Sequence, residues 1–328
     1  MSIIAIDAMG GDHAPEEVIK GVVEAKKNGL KSAIALVGIE SEIKRFQEMI
    51  SPFNDIEIVN ADDVFEMDAK PSTVLRRRDC SLYKAADLVK QGKADALVSA
   101  GSTGGLLAVA TFVVGRIKGI PRPTIATPIP SKRGTTIFLD SGANLECKIE
   151  NYVSFAKMGM ALQKMNGLSR PKVGLLNVGT EEDKGTEAVK EALKALEENI
   201  PDNFEGFVEG RDITIGEVDV VVTDGWSGNI ALKSMEGLGK LINSILKDSI
   251  LSGGLFLKLG YLLLRPVFDS LRKKTDSRNT GGAYILGVNA PVVKAHGNSD
   301  ALAFSNALRV AERGITEKLV QNTIDLIN

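Results

Sequence analysis

Histidine and cysteine are scarce in this sequence of 328 residues: two of each, His13, His296, Cys80 and Cys147. No Cys-x-x-Cys or His-Glu-x-x-His spacing can be built from them, so a zinc site has a weak case and no metal is expected. A disulfide framework is equally out of reach, and no charged leader with an apolar signal core precedes the first strand at Ile3, which together point to the cytoplasm. Charge of one sign is also missing. Forty Lys and Arg against 42 Asp and Glu leave a net charge of −2, no polybasic signature exists, and nucleic acid is not expected as the main partner. The most apolar stretch, residues 253–268, is too short and interrupted to span a bilayer, which needs about 20 apolar residues.

What is present is an ordinary globular composition, 44% hydrophobic and 25% charged, in a chain long enough for one compact unit or two lobes. Five apolar runs stop abruptly in small, polar loops. Ile3 to Ile6 ends in Asp7-Ala8-Met9-Gly10-Gly11-Asp12-His13, and Ala96 to Val98 in Ser99-Ala100-Gly101-Ser102-Thr103-Gly104-Gly105. Ile137 to Leu139 ends in Asp140-Ser141-Gly142-Ala143-Asn144. Val173 to Leu176 ends in Asn177-Val178-Gly179-Thr180-Glu181-Glu182-Asp183-Lys184, and Val220 to Thr223 in Asp224-Gly225-Trp226-Ser227-Gly228-Asn229. Each reads as a strand, a tight loop and a helix. In open α/β sheets ligands bind at the carboxyl ends of the strands, where unpaired N–H groups of the next helix favour an anion.

Helical spacing recurs between the strands: after Pro15, over 41–50, 82–90, 106–114, 152–165 and 181–198, from Ala231 to about Ile250, and finally over 300–327. Alternating strands and helices predict a largely parallel sheet. The prolines at 121, 123, 128 and 130 bracket a short strand that turns at Lys132-Arg133-Gly134 into Thr135 to Leu139, a hairpin that marks a lobe boundary. Glu181, Glu182 and Asp183 suit a helix start, and Lys184 is the cation beside them. The triplet Arg76-Arg77-Arg78 reads as solvated. It can depress the neighbouring Cys80 thiol, although both cysteines fit better as small packing residues. Segment 253–268 fits a dimer contact, an acyl groove, a membrane-surface contact or a buried core helix, and the following Arg272-Lys273-Lys274 favours an acidic or membrane partner.

Taken in order, IAIDAMGGDHAP (4–15), SAGSTGGLLA (99–108), LDSGAN (139–144), GLLNVGTEEDKG (174–185), VVTDGWSGN (221–229), GGAYILGVN (281–289) and AHGNSD (295–300) closely resemble the PlsX-type phosphate acyltransferase family of bacterial phospholipid synthesis. Ser102 and Trp226-Ser227 stand where the family pattern has Asn and Phe-Thr or similar. The resemblance implies a three-layer α/β/α, Rossmann-like fold similar to isocitrate and isopropylmalate dehydrogenases and to phosphotransacetylase. It also implies a homodimer without cofactor, and a reaction in which inorganic phosphate takes the acyl group of acyl-[acyl carrier protein]. Residues 1–328 then form one unit with an apolar helical projection at about 250–275, lodged in the cytoplasm or on the inner face of the membrane.

Phosphate is already an adequate nucleophile towards a thioester, so the absence of a Ser-His-Asp array is no obstacle. The reaction needs positioned donors, a cation, and groups for the oxyanion and the departing thiolate. Lys184, Asn229, His13 and His296 are the candidates for catalysis. Candidates for holding substrate are Asp7, Gly10, Gly11, Gly101, Thr103, Gly104, Asp140, Asn144, Asn177, Gly179, Glu181, Asp224, Gly225 and Gly228, with Asp140 and Asp224 orienting the rest. Other readings of the same pattern are a phosphotransacetylase acting on a coenzyme A thioester, a metal-dependent hydroxy-acid dehydrogenase, and a phosphate- or acyl-binding scaffold without activity.

Overall fold

The computed structural model describes residues 1–252, 254, 260, 261, 263–268 and 281–328. Much of the apolar stretch 253–268, including Leu259, and the triplet Arg272-Lys273-Lys274 lie outside the described residues.

The chain runs β1 (Ile3–Asp7), α1 (Glu16–Lys27), β2 (Ala33–Gly38), α2 (Glu40–Lys44), α3 (Gln47–Ile50) and β3 (Ile56–Asn60). A 3₁₀ turn (Pro71–Arg76) leads to α4 (Ser81–Lys90), β4 (Ala96–Ser99) and α5 (Thr103–Val109), which continues into a π-helical turn (Ala110–Val114). The hairpin β5 (Thr124–Ser131) and β6 (Gly134–Leu139) precedes α6 (Ile149–Met165), β7 (Val173–Leu176), α7 (Glu187–Asn199), β8 (Phe204–Val208), α8 (Asp212–Ile215) and β9 (Val220–Val222). Helix α9 (Gly225–Ser252), β10 (Ala283–Leu286), β11 (Val292–Lys294), α10 (Ala301–Thr316) and α11 (Leu319–Ile327) complete the described elements.

The described strands join one sheet in the order β3-β2-β1-β4-β11-β10-β5-β6-β9-β7-β8. The central strands are buried on both faces, which is why they read as unbroken Ile, Val, Leu and Ala runs. One face packs on α1, α6, α7, α10 and α11. The other packs on α4 and α5 and on α8 and α9.

Strand β5 joins two halves of the sheet. Its first residues, Thr124 to Ala126, pair with β10, and its last, Thr127 to Ser131, pair with β6. In the first half β1, β2, β3, β4 and β11 run parallel and only β10 is reversed. In the second half β6, β9, β7 and β8 are parallel to one another and opposed to β5. Register aligns Asp7 with Ser99 and Ser99 with Lys294, so the carboxyl ends of β1, β4 and β11 form one row.

The fold departs from the sequence reading in its helix limits. Helix α7 starts at Glu187, where Thr186 accepts a bond from the Val189 N–H; Glu181 to Lys184 are loop residues, not its first turn. The final helix is broken at Lys318, which adopts a left-handed conformation. Residues 41–50 form two short helices rather than one. Helix α9 starts at Gly225, earlier than Ala231, and β8 has no counterpart in the sequence reading.

Candidate active site

Asp7 ends β1 in the sheet interior. Its two carboxylate oxygens accept from Ser81 Oγ at 2.6 Å and Ser99 Oγ at 2.7 Å, and Ser99 Oγ accepts from the Gly101 N–H at 2.9 Å. Burial raises the Asp7 pKa, against the pull of these hydroxyls and of Lys294. The loops after β1 and β4 interlock here: a Cβ on Gly10 would stand 2.7 Å from the Gly101 nitrogen and collide with the Asp7 carboxylate. Glycine is needed for that approach. Gly11 lies against Ala100 and the Gly297 carbonyl, and the Asp12 N–H bonds to Gly297 O at 2.8 Å, which ties in the loop after β11.

Lys294, the last residue of β11, reaches into the same row. Its ammonium donates to Ala100 O at 3.3 Å and to the Ala295 carbonyl. Burial lowers its pKa to about 8, with Asp7 and Asp12 opposing and Lys233 adding to the depression. His296, two residues on, has its imidazole pKa lowered first by burial, with Glu236 opposing. His13 is exposed and lines a cleft of about 610 Å³ with Glu17, Glu42, Arg45, Asn298 and Asp300. Thr103 opens α5 on an exposed turn capped by Ser102, and Gly104 lies against Pro71.

A second group forms where β6 and β9 end. Asp140 is fully buried and accepts from the N–H groups of Gly142, Ala143 and Asn144 and from Asn144 Nδ2, at 2.7 to 3.1 Å. It shapes the loop from within. Asn144 also donates to Pro123 O at 2.8 Å, and its own carbonyl accepts from the Gly225 N–H at 2.7 Å. Asp224 caps α9 by accepting from the Ser227 N–H at 2.8 Å and the Ser227 hydroxyl at 2.9 Å. At the start of α9 the Gly225 and Ser227 N–H groups are therefore taken by the protein itself. Asn229 stands over Gly142. Its side-chain amide is exposed and has no hydrogen bond among the described residues.

Helix α9 connects the two groups. Asn229, Lys233, Glu236 and Lys240 follow at i, i+4, i+7 and i+11 and so share one face. Lys233, Glu236 and Lys240 act electrostatically on His296, and Lys233 on Lys294. One turn of about 6 Å separates Asn229 from Lys233.

A third set lies at the end of β7, the strand paired with β9. Lys184 is paired with Glu181 at 2.9 Å on an exposed loop, and its other charged neighbours are Asp183 and Glu209. Asn177 Nδ2 donates to Lys184 O at 3.1 Å, and Gly179 lies beneath the Lys184 stem. Lys184 is thus not the sole cation at a strand end. Lys294, Ser81 and Ser99 escaped the sequence reading as site residues. The one available signal was a lysine closing a buried Val-Val run directly before His296.

Neither cysteine is poised for attack. Burial raises the Cys80 thiol despite Arg77, and burial with Asp140 pushes Cys147 up to about 12. Arg77 is instead engaged with Asp63, at 2.6 Å, and with Glu66, so this member of the triplet is not simply solvated.

A family model described as "Fatty acid synthesis protein" matches residues 2–322. The phosphate acyltransferase of Thermosipho africanus is 48% identical over 97% of this chain and 96% of its own, and that of Fervidobacterium nodosum is 49% identical with the same coverage. Among solved structures, a phosphotransacetylase from Streptococcus pyogenes matches with a TM-score of 0.64 at 18% identity, covering 98% of this chain and 94% of that one. A putative 4-hydroxythreonine-4-phosphate dehydrogenase from Salmonella typhimurium matches with a TM-score of 0.54 at 11% identity, covering 95% and 98%. At such identities the structural likeness speaks for the fold alone, a Rossmann-like α/β fold.

Proposed function

Because the chain belongs to the fatty acid synthesis protein family of PlsX-type phosphate acyltransferases, we propose that it transfers a fatty acyl group from acyl-[acyl carrier protein] to inorganic phosphate, giving acyl phosphate for phospholipid synthesis. The observation that carries this reading is the 48% identity to a phosphate acyltransferase along nearly the whole of both chains. The site agrees in kind. Both thiols are held protonated, which suits direct attack by phosphate rather than an acyl-cysteine intermediate.

In this mechanism a phosphate oxygen attacks the thioester carbon, and the carbonyl pair moves onto oxygen. The free amide of Asn229 donates to that oxyanion, while Lys184 offsets the phosphate charge. The glycine-bordered ends of β1, β4, β6 and β9 shape the cleft, with Asp7, Asp140 and Asp224 holding the loops. Collapse of the tetrahedral intermediate breaks the C–S bond and leaves the thiolate of the carrier protein. Residues 1–328 act as one unit with two lobes sharing β5, assembled as a homodimer, in the cytoplasm or resting on the inner face of the membrane.

The rival reading uses a coenzyme A thioester as donor. Hydroxylamine trapping of acyl phosphate, with acyl-[acyl carrier protein] and acyl-coenzyme A supplied separately, decides between them. Product from the carrier protein at much the higher kcat/KM is the expected result. Preference for coenzyme A selects the rival, and no hydroxamate from either donor leaves only a binding role.

A further inference from the structure

The departing thiolate needs a proton, and the residues around β11 differ in their fitness to give one. His296 is exposed at the surface, and its surroundings hold the imidazole below its ordinary value. Lys294 stands two residues away on the same row as Asp7 and Ser99. An ammonium has three N–H bonds. Ala100 O and Ala295 O take two, and among the described residues no carboxylate lies within ion-pair distance to take the third. The residue as a whole is half-buried, and its third N–H has no protein acceptor among the described residues.

Charged groups face Lys294 from each neighbouring element: Asp7 at the end of β1, Asp12 in the loop after it, Lys233 on α9, and His296 on its own loop. Burial outweighs the two carboxylates and brings the ammonium to about 8, close to the ~8.5 of an ordinary thiol. Proton transfer between such groups is nearly balanced in free energy, the condition under which a general acid works best. Resting on the acyl-transfer reading, we infer that Lys294 is the general acid that protonates the departing thiolate of the carrier protein.

The balance closes without a further reactant. As the C–S bond breaks, its electron pair passes to sulfur and one Lys294 N–H proton follows, leaving a free thiol and a neutral amine. The acyl phosphate keeps the oxygen that attacked. The hydrogen carried by the entering phosphate monohydrogen dianion is released to solvent from the product, and solvent returns a proton to Lys294.

The test is the pH dependence of acyl phosphate formation from acyl-[acyl carrier protein], read together with melting curves. Wild-type kcat is expected to fall as pH rises through about 8, because the protonated amine is the active form. Lys294→Met should lower kcat on the order of 10²-fold, abolish that descending limb, and leave the KM for phosphate in place. Lys294→Arg keeps the charge but holds its proton too tightly to give it up, so it should not restore turnover; restoration by Arg would reveal a purely electrostatic role and overturn the inference.

Two exposed positions serve even where Lys294 variants fail to fold. Asp12→Asn removes a charge that raises the Lys294 pKa and should move the limb to lower pH, whereas Lys233→Met removes a like charge and should move it higher. A limb that stays in place in both variants, or persists in folded Lys294→Met, overturns the assignment while leaving the acyl-transfer reading intact. Wild-type protein that forms no acyl phosphate at any pH overturns both.

Discussion

Gly228 packs its Cα against the backbone carbonyl of Asp140 so tightly that a Cβ would enter the oxygen, with Thr223 Cγ2 only 3.0 Å away. That contact seats the first turn of α9 on the loop after β6 and holds Asn229 over Gly142. Gly228→Ala must displace backbone and is expected to cost about 1–3 kcal/mol or more, seen as a lower melting temperature with loss of activity. Gly237→Ala, further along α9 where a Cβ meets open space, should instead stabilise by up to about 1 kcal/mol through helix propensity. Equal effects at the two positions would refute the packing argument.

Asn229→Ala removes an amide with no structural hydrogen bond among the described residues, so melting should hardly change. Turnover is expected to fall by about 10²-fold, the scale of one oxyanion donor worth about 3 kcal/mol. Carrier-protein binding, measured separately by titration, should persist. Weaker binding with unchanged turnover per bound complex would make Asn229 a docking residue.

Lys184→Ala deletes one partner of an exposed ion pair with Glu181, which contributes little stability. The fold should therefore survive, and the KM for phosphate is expected to rise several-fold or more. Unaltered phosphate kinetics in the folded variant would remove Lys184 from the site and leave Lys294 and Lys233 as the cations along the cleft.

The sequence announces the strand ends because the apolar runs of β1, β4, β6, β7 and β9 are largely buried and give way within two residues to Asp, Asn or Gly, two signals that coincide. It is less informative where local chemistry imitates another element. Glu181-Glu182-Asp183 resembles an acidic first turn, yet the helix waits for the Thr186 cap. Nor does the pattern show which polar groups the protein uses itself: Asp224 spends its carboxylate in capping α9. Lys294 could not be recognised at all from pattern, because its character comes from burial beside Asp7, Asp12 and Lys233, groups that only the sheet order and the path of α9 bring together. The bond from Ser81 to Asp7 spans 74 residues and is equally invisible to spacing.

Burial of Lys294 also predicts how stability depends on pH. Its folded pKa, about 8, lies below the ordinary 10.5, so between these values the unfolded chain holds more protons than the native one. Raising pH through that window therefore favours the folded state. The melting temperature of the wild type, taken relative to Lys294→Met, should rise from about pH 8 towards 10.5. A constant difference across the window would mean that the ammonium is better solvated than its surroundings indicate.

Helix α9 carries an apolar stripe: Leu238, Leu241, Ile242 and Ile245 repeat at i, i+3, i+4 and i+7 and are each more than half exposed. Leu263, Leu264 and Val267 are exposed as well, although much of the chain between the two sets lies outside the described residues. Among the described residues no helix is long and apolar enough to cross a membrane; the contact to test is one between this stripe and a lipid surface. Full burial of a Leu or Ile side chain is worth about 1.5–3 kcal/mol, so Leu241→Glu with Ile245→Glu should weaken such a contact at least about 10²-fold. Sedimentation with vesicles containing anionic lipid is expected to fall accordingly, with melting and turnover on soluble acyl carrier protein preserved. Dissociation of a dimer in sedimentation equilibrium, with vesicle binding unchanged, would instead assign the stripe to the subunit interface. A parent protein that does not sediment with vesicles would end the membrane reading outright.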